Sequence, residues 1–232
     1  MGIQRRHFLQ TTGGLALAAL MQAQPVEAAE EGFCIPDDPL QALMAGNRRF
    51  SEAWRWADQN NWATQQAGNP DPRCFNSPRA LANSQHPWAT VLTCSDSRVS
   101  PSWVFDTTPG DLFVIRNAGN SAFDEAIASV EYGVSVLKTP LVMVMGHSGC
   151  GAVAAAMDAN PLTPSLDRLI QPIQESINGS SDLAEAVRRN ALATASTLIQ
   201  RSAVLAKAKT SDALKLVVGV FELTNGVVTL IE

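Results

Sequence analysis

Hydrophobic and polar positions along this chain fall into two periods. Three short apolar runs, Ala89 to Thr93, Leu112 to Arg116 and Leu141 to Met145, show no alternation, so they predict strands buried on both faces. Helical spacing lies between them. Pro101 to Phe105 predicts a short helix, and Asp124 to Leu137 carries Ile127, Val130, Val134 and Leu137 on one stripe. The order strand, short helix, strand, helix, strand implies a parallel sheet with right-handed crossovers. Pro36 to Trp62 predicts a helix after a proline-rich entry, with Leu40, Leu43, Met44, Phe50 and Trp54 on one apolar face. That face covers its own domain or a partner, and both arrangements satisfy the pattern. Asn69 to Pro78, rich in Pro, Asn and Asp, reads as a surface loop. Further on, Ala152 to Met157 is helical, and Asp182 to Ala208 predicts one long helix capped by Ser180 or Ser181. Leu214 to Phe221 and Val227 to Ile231 are strands joined around Asn225-Gly226, a strong hairpin signal. The expected fold is a single α/β domain: a central, mostly parallel sheet flanked by helices, ending in a hairpin-like strand pair.

The first 28 residues follow a different logic. Arg5-Arg6-His7-Phe8-Leu9 is a twin-arginine pair followed by apolar residues, and a mild apolar run extends from Leu15 to Met21. Val26-Glu27-Ala28 fits a small-x-small cleavage site. Residues 1–28 are therefore expected to be a twin-arginine-type signal, with the mature domain spanning residues 29–232. An ordinary secretory signal is the alternative, since paired basic residues occur there too. The apolar run is too short for a permanent membrane anchor. The address would be a periplasm or a thylakoid-type lumen.

Charge narrows the partners. The chain has 17 basic and 22 acidic residues, net −5. Without residues 1–28 it loses Arg5, Arg6 and Glu27, leaving 15 against 21, or −6. An acidic protein with no basic block offers no footprint for nucleic acid. Of the four cysteines, Cys34 and Cys74 lie apart from the others. Export permits a disulfide between them, which in the chain-entropy model would contribute roughly 4 kcal/mol. Two separate thiols are the equal alternative.

The chemistry gathers at two strand ends. The first run leads into Cys94-Ser95-Asp96-Ser97-Arg98, and the third into Gly146-His147-Ser148-Gly149-Cys150-Gly151. The carboxyl edge of a parallel sheet is where open α/β folds keep their ligand sites. Either cysteine alone reads first as an ordinary buried thiol. As a pair beside His147, Cys94 and Cys150 read as metal ligands, and two thiolates with one imidazole select zinc. Three protein ligands leave a fourth position open for water or substrate. Asp96 can accept a hydrogen bond from that water, and Arg98, two residues on, can keep Asp96 ionised. A loop salt bridge without a chemical role is the plainer reading of that pair.

These segments resemble the zinc signature of the β-class carbonic anhydrases. The likeness extends to Ala45 to Phe50, Gly110 to Asn120 and Ser129 to Val134, in the family's order, and is less typical from Pro161 to Asn178. The resemblance implies one zinc per chain, reversible hydration of carbon dioxide to bicarbonate by zinc-bound hydroxide, and a homodimer or higher homo-oligomer. It also implies a substrate pocket formed by Gln85, Phe113, Ala118 and Tyr132, with Gln85 reaching the neighbouring subunit's site. In one branch of the family the aspartate swings onto zinc and closes the site, helped by a tryptophan three residues before the first cysteine. Here that position is Val91, so an open site with Asp96 paired to Arg98 is expected.

Two rival functions fit part of the pattern. A carbon disulfide or carbonyl sulfide hydrolase would use the same zinc chemistry on another linear molecule. A non-catalytic, zinc-stabilised assembly protein would keep the ligands yet could lose Asp96 or Arg98, and both are present. A thiol oxidoreductase is weaker, because no Cys-x-x-Cys occurs.

Overall fold

The apolar runs form strands that stack side by side. The computed structural model of the chain describes residues 34–60, 76, 78–158, 160 and 163–232. Ala89–Cys94 (β1), Leu112–Asn117 (β2), Leu141–His147 (β3) and Lys215–Phe221 (β4) are parallel, and Val228–Ile231 (β5) runs antiparallel to β4. The sheet order is β2-β1-β3-β4-β5. Every residue of β1 and β3 is buried, as expected of central strands covered on both faces. The fold is the expected single α/β domain.

Among the described residues the chain forms eight helices: Pro39–Asn60 (α1), Pro78–Asn83 (α2), Pro101–Val104 (α3), Asp124–Ser135 (α4), Gly151–Met157 (α5), Pro164–Ile177 (α6), Leu183–Arg201 (α7) and Ala203–Thr210 (α8). Alternate residues of β3 sort into two cores. Leu141, Met143 and Met145 pack with Leu43 and Phe50 of α1 and with Val104 and Phe105. Val142 and Val144 pack with Val130 of α4, Ala191 and Leu198 of α7, and Leu205 of α8. Period-two alternation within one strand thus builds both layers.

Asn47, buried on α1, ties the layers to the C-terminal hairpin. Its side-chain nitrogen donates to the carbonyls of Val104 at 3.1 Å and Gly226 at 2.8 Å. Its oxygen accepts from the Val228 amide at 2.8 Å. The hairpin turn spans Leu223 to Gly226, with the Glu222 amide donating to Val227 and the Gly226 amide to Glu222.

Three expectations need correction. Asp182 to Ala208 is two helices, because the chain leaves helical geometry at Ser202 (φ −121°, ψ 107°). Ser202 caps α8 by accepting from the Leu205 amide at 3.0 Å and donates to Glu131 at 2.5 Å. The cap of α7 is Asp182, which accepts from the Glu185 amide at 3.0 Å. Among the described residues of the expected 69–78 loop, Asn76 is buried and bonded to Asp111 and Pro109, and Pro78 already begins α2. The helix α6, with Pro172 inside it, was not expected. Residues 1–28, Trp62 and Cys74 lie outside the described residues. Cys34 is disulfide-bonded, while Cys94 and Cys150 are free. No helix among the described residues is long and apolar enough to cross a membrane.

Candidate metal centre

Adjacent parallel strands deliver the three ligand types to one spot. β1 and β3 pair in register from Thr90↔Val142 to Thr93↔Met145, and the Thr93 hydroxyl donates to the Met145 carbonyl at 2.8 Å. The carboxyl ends of both strands are therefore held side by side. Cys94 ends β1, His147 ends β3, and Cys150 precedes α5 after one turn. Their ligand atoms all lie within 4.8 Å of one another, and all three residues are buried. This group could hold a metal ion.

Its electrostatics suit a cation. His147 has no exposed surface; Nδ1 lies 3.0 Å from the Ser148 carbonyl, and Nε2 has no hydrogen-bond partner among the described residues. A buried, unpartnered imidazole nitrogen is costly unless something binds it. The sulfurs of Cys94 and Cys150 are 3.9 Å apart. The hydrogen bond from Cys150 pushes the Cys94 thiol down, opposed by burial and aided by His147 and the Gly119 and Asp96 amides. The same bond, with burial, pushes Cys150 up. A divalent cation bound between the sulfurs would displace the protons of the thiols.

The loop after Cys94 is clamped from several sides. Arg98 grips both oxygens of Asp96, Nε to Oδ1 at 2.9 Å and Nη2 to Oδ2 at 2.7 Å, while its amide adds a 3.0 Å bond to Oδ1. The Arg98 guanidinium above all, helped by its amide, holds the Asp96 carboxyl well below the usual carboxylate range, against the opposing effect of burial. Arg98 also reaches the Gly149 carbonyl at 3.3 Å, linking the two site loops. Asp96 Oδ2 lies 3.8 Å from His147 Nε2. On the other side, Ser148 donates to Glu222 at 2.9 Å and accepts from the Leu223 amide at 3.0 Å.

Gly119, two residues past the end of β2, lies against the cluster. Its amide points at the Cys94 sulfur from 3.3 Å, at a φ of +81°. A Cβ there would lie 2.4 Å from Ile173, so both the conformation and the close approach require glycine.

The expected pocket residues are more dispersed. Gln85 is exposed on the link between α2 and β1. The ring of half-buried Phe113 on β2 lies 5.9 Å from that of Tyr132 of α4, tilted by 35°, and Tyr132 is 45% exposed. Ala118 is half-buried beside Gly119. Among the described residues, no hydrogen bond or ring contact joins Gln85, Phe113 or Tyr132 to the sulfur pair.

Sequence reasoning missed several supports of the site. Arg116 read only as the end of a strand, yet its guanidinium spans the Cys94 carbonyl (3.0 Å) and the Asp96 carbonyl (2.7 Å). A cation closing an apolar run beside a site loop was the available signal. Glu222 and Asn190 gave none, because each acts across more than 70 residues of chain.

Fold and site together define an α/β protein with a Cys-His-Cys group that could hold a metal ion at the carboxyl edge of its sheet. The family model described as carbonic anhydrase matches residues 89–228. Carbonic anhydrase 2 of Mycobacterium tuberculosis is 32% identical over 195 residues, covering 80% of this chain and 88% of that protein. The β-carbonic anhydrase CafA of Aspergillus fumigatus superposes with a TM-score of 0.60 at 25% identity, over 84% of this chain and 91% of that one. A β-carbonic anhydrase of Sordaria macrospora, described as tetrameric, superposes with a TM-score of 0.57 at 25% identity, over 83% and 95%. The chain belongs to the β-class carbonic anhydrase family.

Proposed function

We propose that this chain binds one zinc ion through Cys94, His147 and Cys150 and catalyses the reversible hydration of carbon dioxide to bicarbonate and a proton. The sulfur geometry carries the reading. Two thiolates on a tetrahedral zinc, each ~2.3 Å from the metal, are ~3.8 Å apart. Cys94 and Cys150 already hold their sulfurs at 3.9 Å. The unpartnered Nε2 of His147 supplies the third ligand. Bound zinc supplies a Lewis acid that makes water nucleophilic near neutral pH.

The remaining work falls to the chain. Asp96 keeps an anionic acceptor near the ligand atoms, 3.8 Å from His147 Nε2, where it can orient a water proton. Arg98 occupies both carboxylate oxygens and so keeps Asp96 ionised and directed. Gln85, Phe113, Ala118 and Tyr132 are proposed to line the substrate pocket. The exposure of Gln85 and Tyr132 fits a pocket completed by a second subunit, and a homodimer or larger assembly is proposed on that basis.

Residues 1–28 are proposed to direct export by the twin-arginine route, supported by Arg5-Arg6-His7-Phe8-Leu9. The deciding experiment measures zinc content and stopped-flow carbon dioxide hydration on the same preparation. One zinc per chain with rapid hydration is expected. A metal-free protein that hydrates carbon dioxide at full rate would overturn the reading, and turnover of carbonyl sulfide alone would reassign the substrate.

A further inference from the structure

We infer that Asn190, on α7, is a positioning residue for the metal centre: its side-chain amide anchors Gly119 so that the Gly119 N–H stays aimed at the Cys94 sulfur. The inference rests on the reading of Cys94 as a metal ligand.

Asn190 is 2% exposed and lies 71 positions from Gly119 in the chain. Its Nδ2 donates to the Gly119 carbonyl at 2.7 Å. A carbonyl only accepts, so this bond fixes which end of the amide faces the turn. The other end, Oδ1, accepts from the Ser176 hydroxyl of α6 at 3.3 Å. Two helices thus hold one side chain against one turn.

Gly119 needs such an anchor. Glycine has the widest choice of backbone angles, and at a φ of +81° nothing intrinsic holds it there. Its amide is 3.3 Å from the Cys94 sulfur, where a donor stabilises thiolate charge. The only other side chain bonded to the Gly119 carbonyl among the described residues is Ser121, whose Oγ is 3.5 Å away, at the limit of a hydrogen bond. Fixing the carbonyl restricts the rotation that would swing the N–H off the sulfur. Groups beyond the ligands commonly orient and tune them in this way.

The test uses the full chain with its metal exchanged for cobalt(II), whose thiolate charge-transfer band reports on the sulfurs. Asn190→Leu is compared with wild type and with Leu198→Ala, which empties a buried position on the same helix in the other core. Should Asn190→Leu fold poorly, Asn190→Ser replaces it, being small, polar and too short to reach Gly119. The expected result is a band at lower energy and metal retention against a chelator weakened about tenfold or more, with the Leu198→Ala band at the wild-type position. A wild type that takes up neither cobalt nor zinc overturns the metal-centre reading and this inference with it. A wild type that binds cobalt, with Asn190 variants identical to it in band and retention, overturns the role of Asn190 alone. An equal shift in Leu198→Ala would do the same, because it would trace the effect to general loosening.

Discussion

The guanidinium of Arg116 bonds to the backbone carbonyl of Asp96, at 2.7 Å, and leaves its carboxylate to Arg98. Two arginines therefore divide one residue between them. Arg116 fixes where the main chain runs after Cys94, and Arg98 fixes where the side chain points. The carboxylate is held by a bidentate pair, a geometry only a guanidinium provides.

Arg116→Lys should keep the charge yet lose the fork that spans two carbonyls. We expect bound metal to be retained and kcat/KM for carbon dioxide hydration to fall roughly ten- to a hundredfold. Parallel zinc analysis and stopped-flow assays check this. Unchanged kcat/KM would show that the loop holds its course without the second carbonyl bond.

The Asp96 carboxyl is held well below the usual range by Arg98. It therefore stays ionised from about pH 5 to 9, given an ordinary carboxyl value of ~3.9. Its contribution to stability is present above that ordinary value and is lost only as pH falls through the lower folded value. Arg98→Met should return the carboxyl toward the ordinary range, so that a break enters the acid limb of the pH–rate profile at higher pH than in wild type. Asp96→Asn should keep its metal and lose on the order of a hundredfold or more in turnover. Near-normal turnover of Asp96→Asn would remove the carboxylate from the reaction.

His147→Ala should abolish stoichiometric zinc and activity together. Two thiolates remain, but the proposed set loses its imidazole ligand. Metal analysis with thermal melting, with and without a chelator, is the measurement. Chelation should lower the melting temperature of wild type and leave His147→Ala almost unmoved, because binding to the native state alone is what stabilises it.

Ser202→Ala should cost about 1–2 kcal/mol, since it removes the cap of α8 together with the bond to Glu131. For a domain of this size that is a fall in melting temperature of several degrees, roughly 2–4 °C per kcal/mol. Melting curves that superpose on wild type would show that another group caps the helix.

The sheet and the clustering of Cys94, His147 and Cys150 were legible because each is written locally. β1, β2 and β3 are unbroken apolar runs, and Cys94, His147 and Cys150 stand where those runs end. The break at Ser202 was not legible. Apolar spacing continues across it, and the bond Ser202 makes where α7 ends goes to Glu131, 71 residues away. Ser180 and Ser181 attracted the cap assignment because serine is as good a cap as aspartate, and only geometry selects Asp182. α6 was hidden by its prolines, of which Pro164 opens the helix and Pro172 sits within it. Asn190, a support of the site, was invisible for the reason that hid Ser202: a hydrogen bond to a group 71 residues away leaves no period in the sequence.

The separation of 56 positions between Cys94 and Cys150 gives the site a place in the order of assembly. Between the two cysteines the chain must lay down β2, cross back through α4 and insert β3 beside β1. No shorter piece of chain can bring the two sulfurs together. A nascent or partly collapsed chain therefore offers a metal only scattered thiols, and tight capture begins when the third strand docks. Metal uptake during refolding is thus a clock for sheet closure, and it should lag behind the appearance of helical signal.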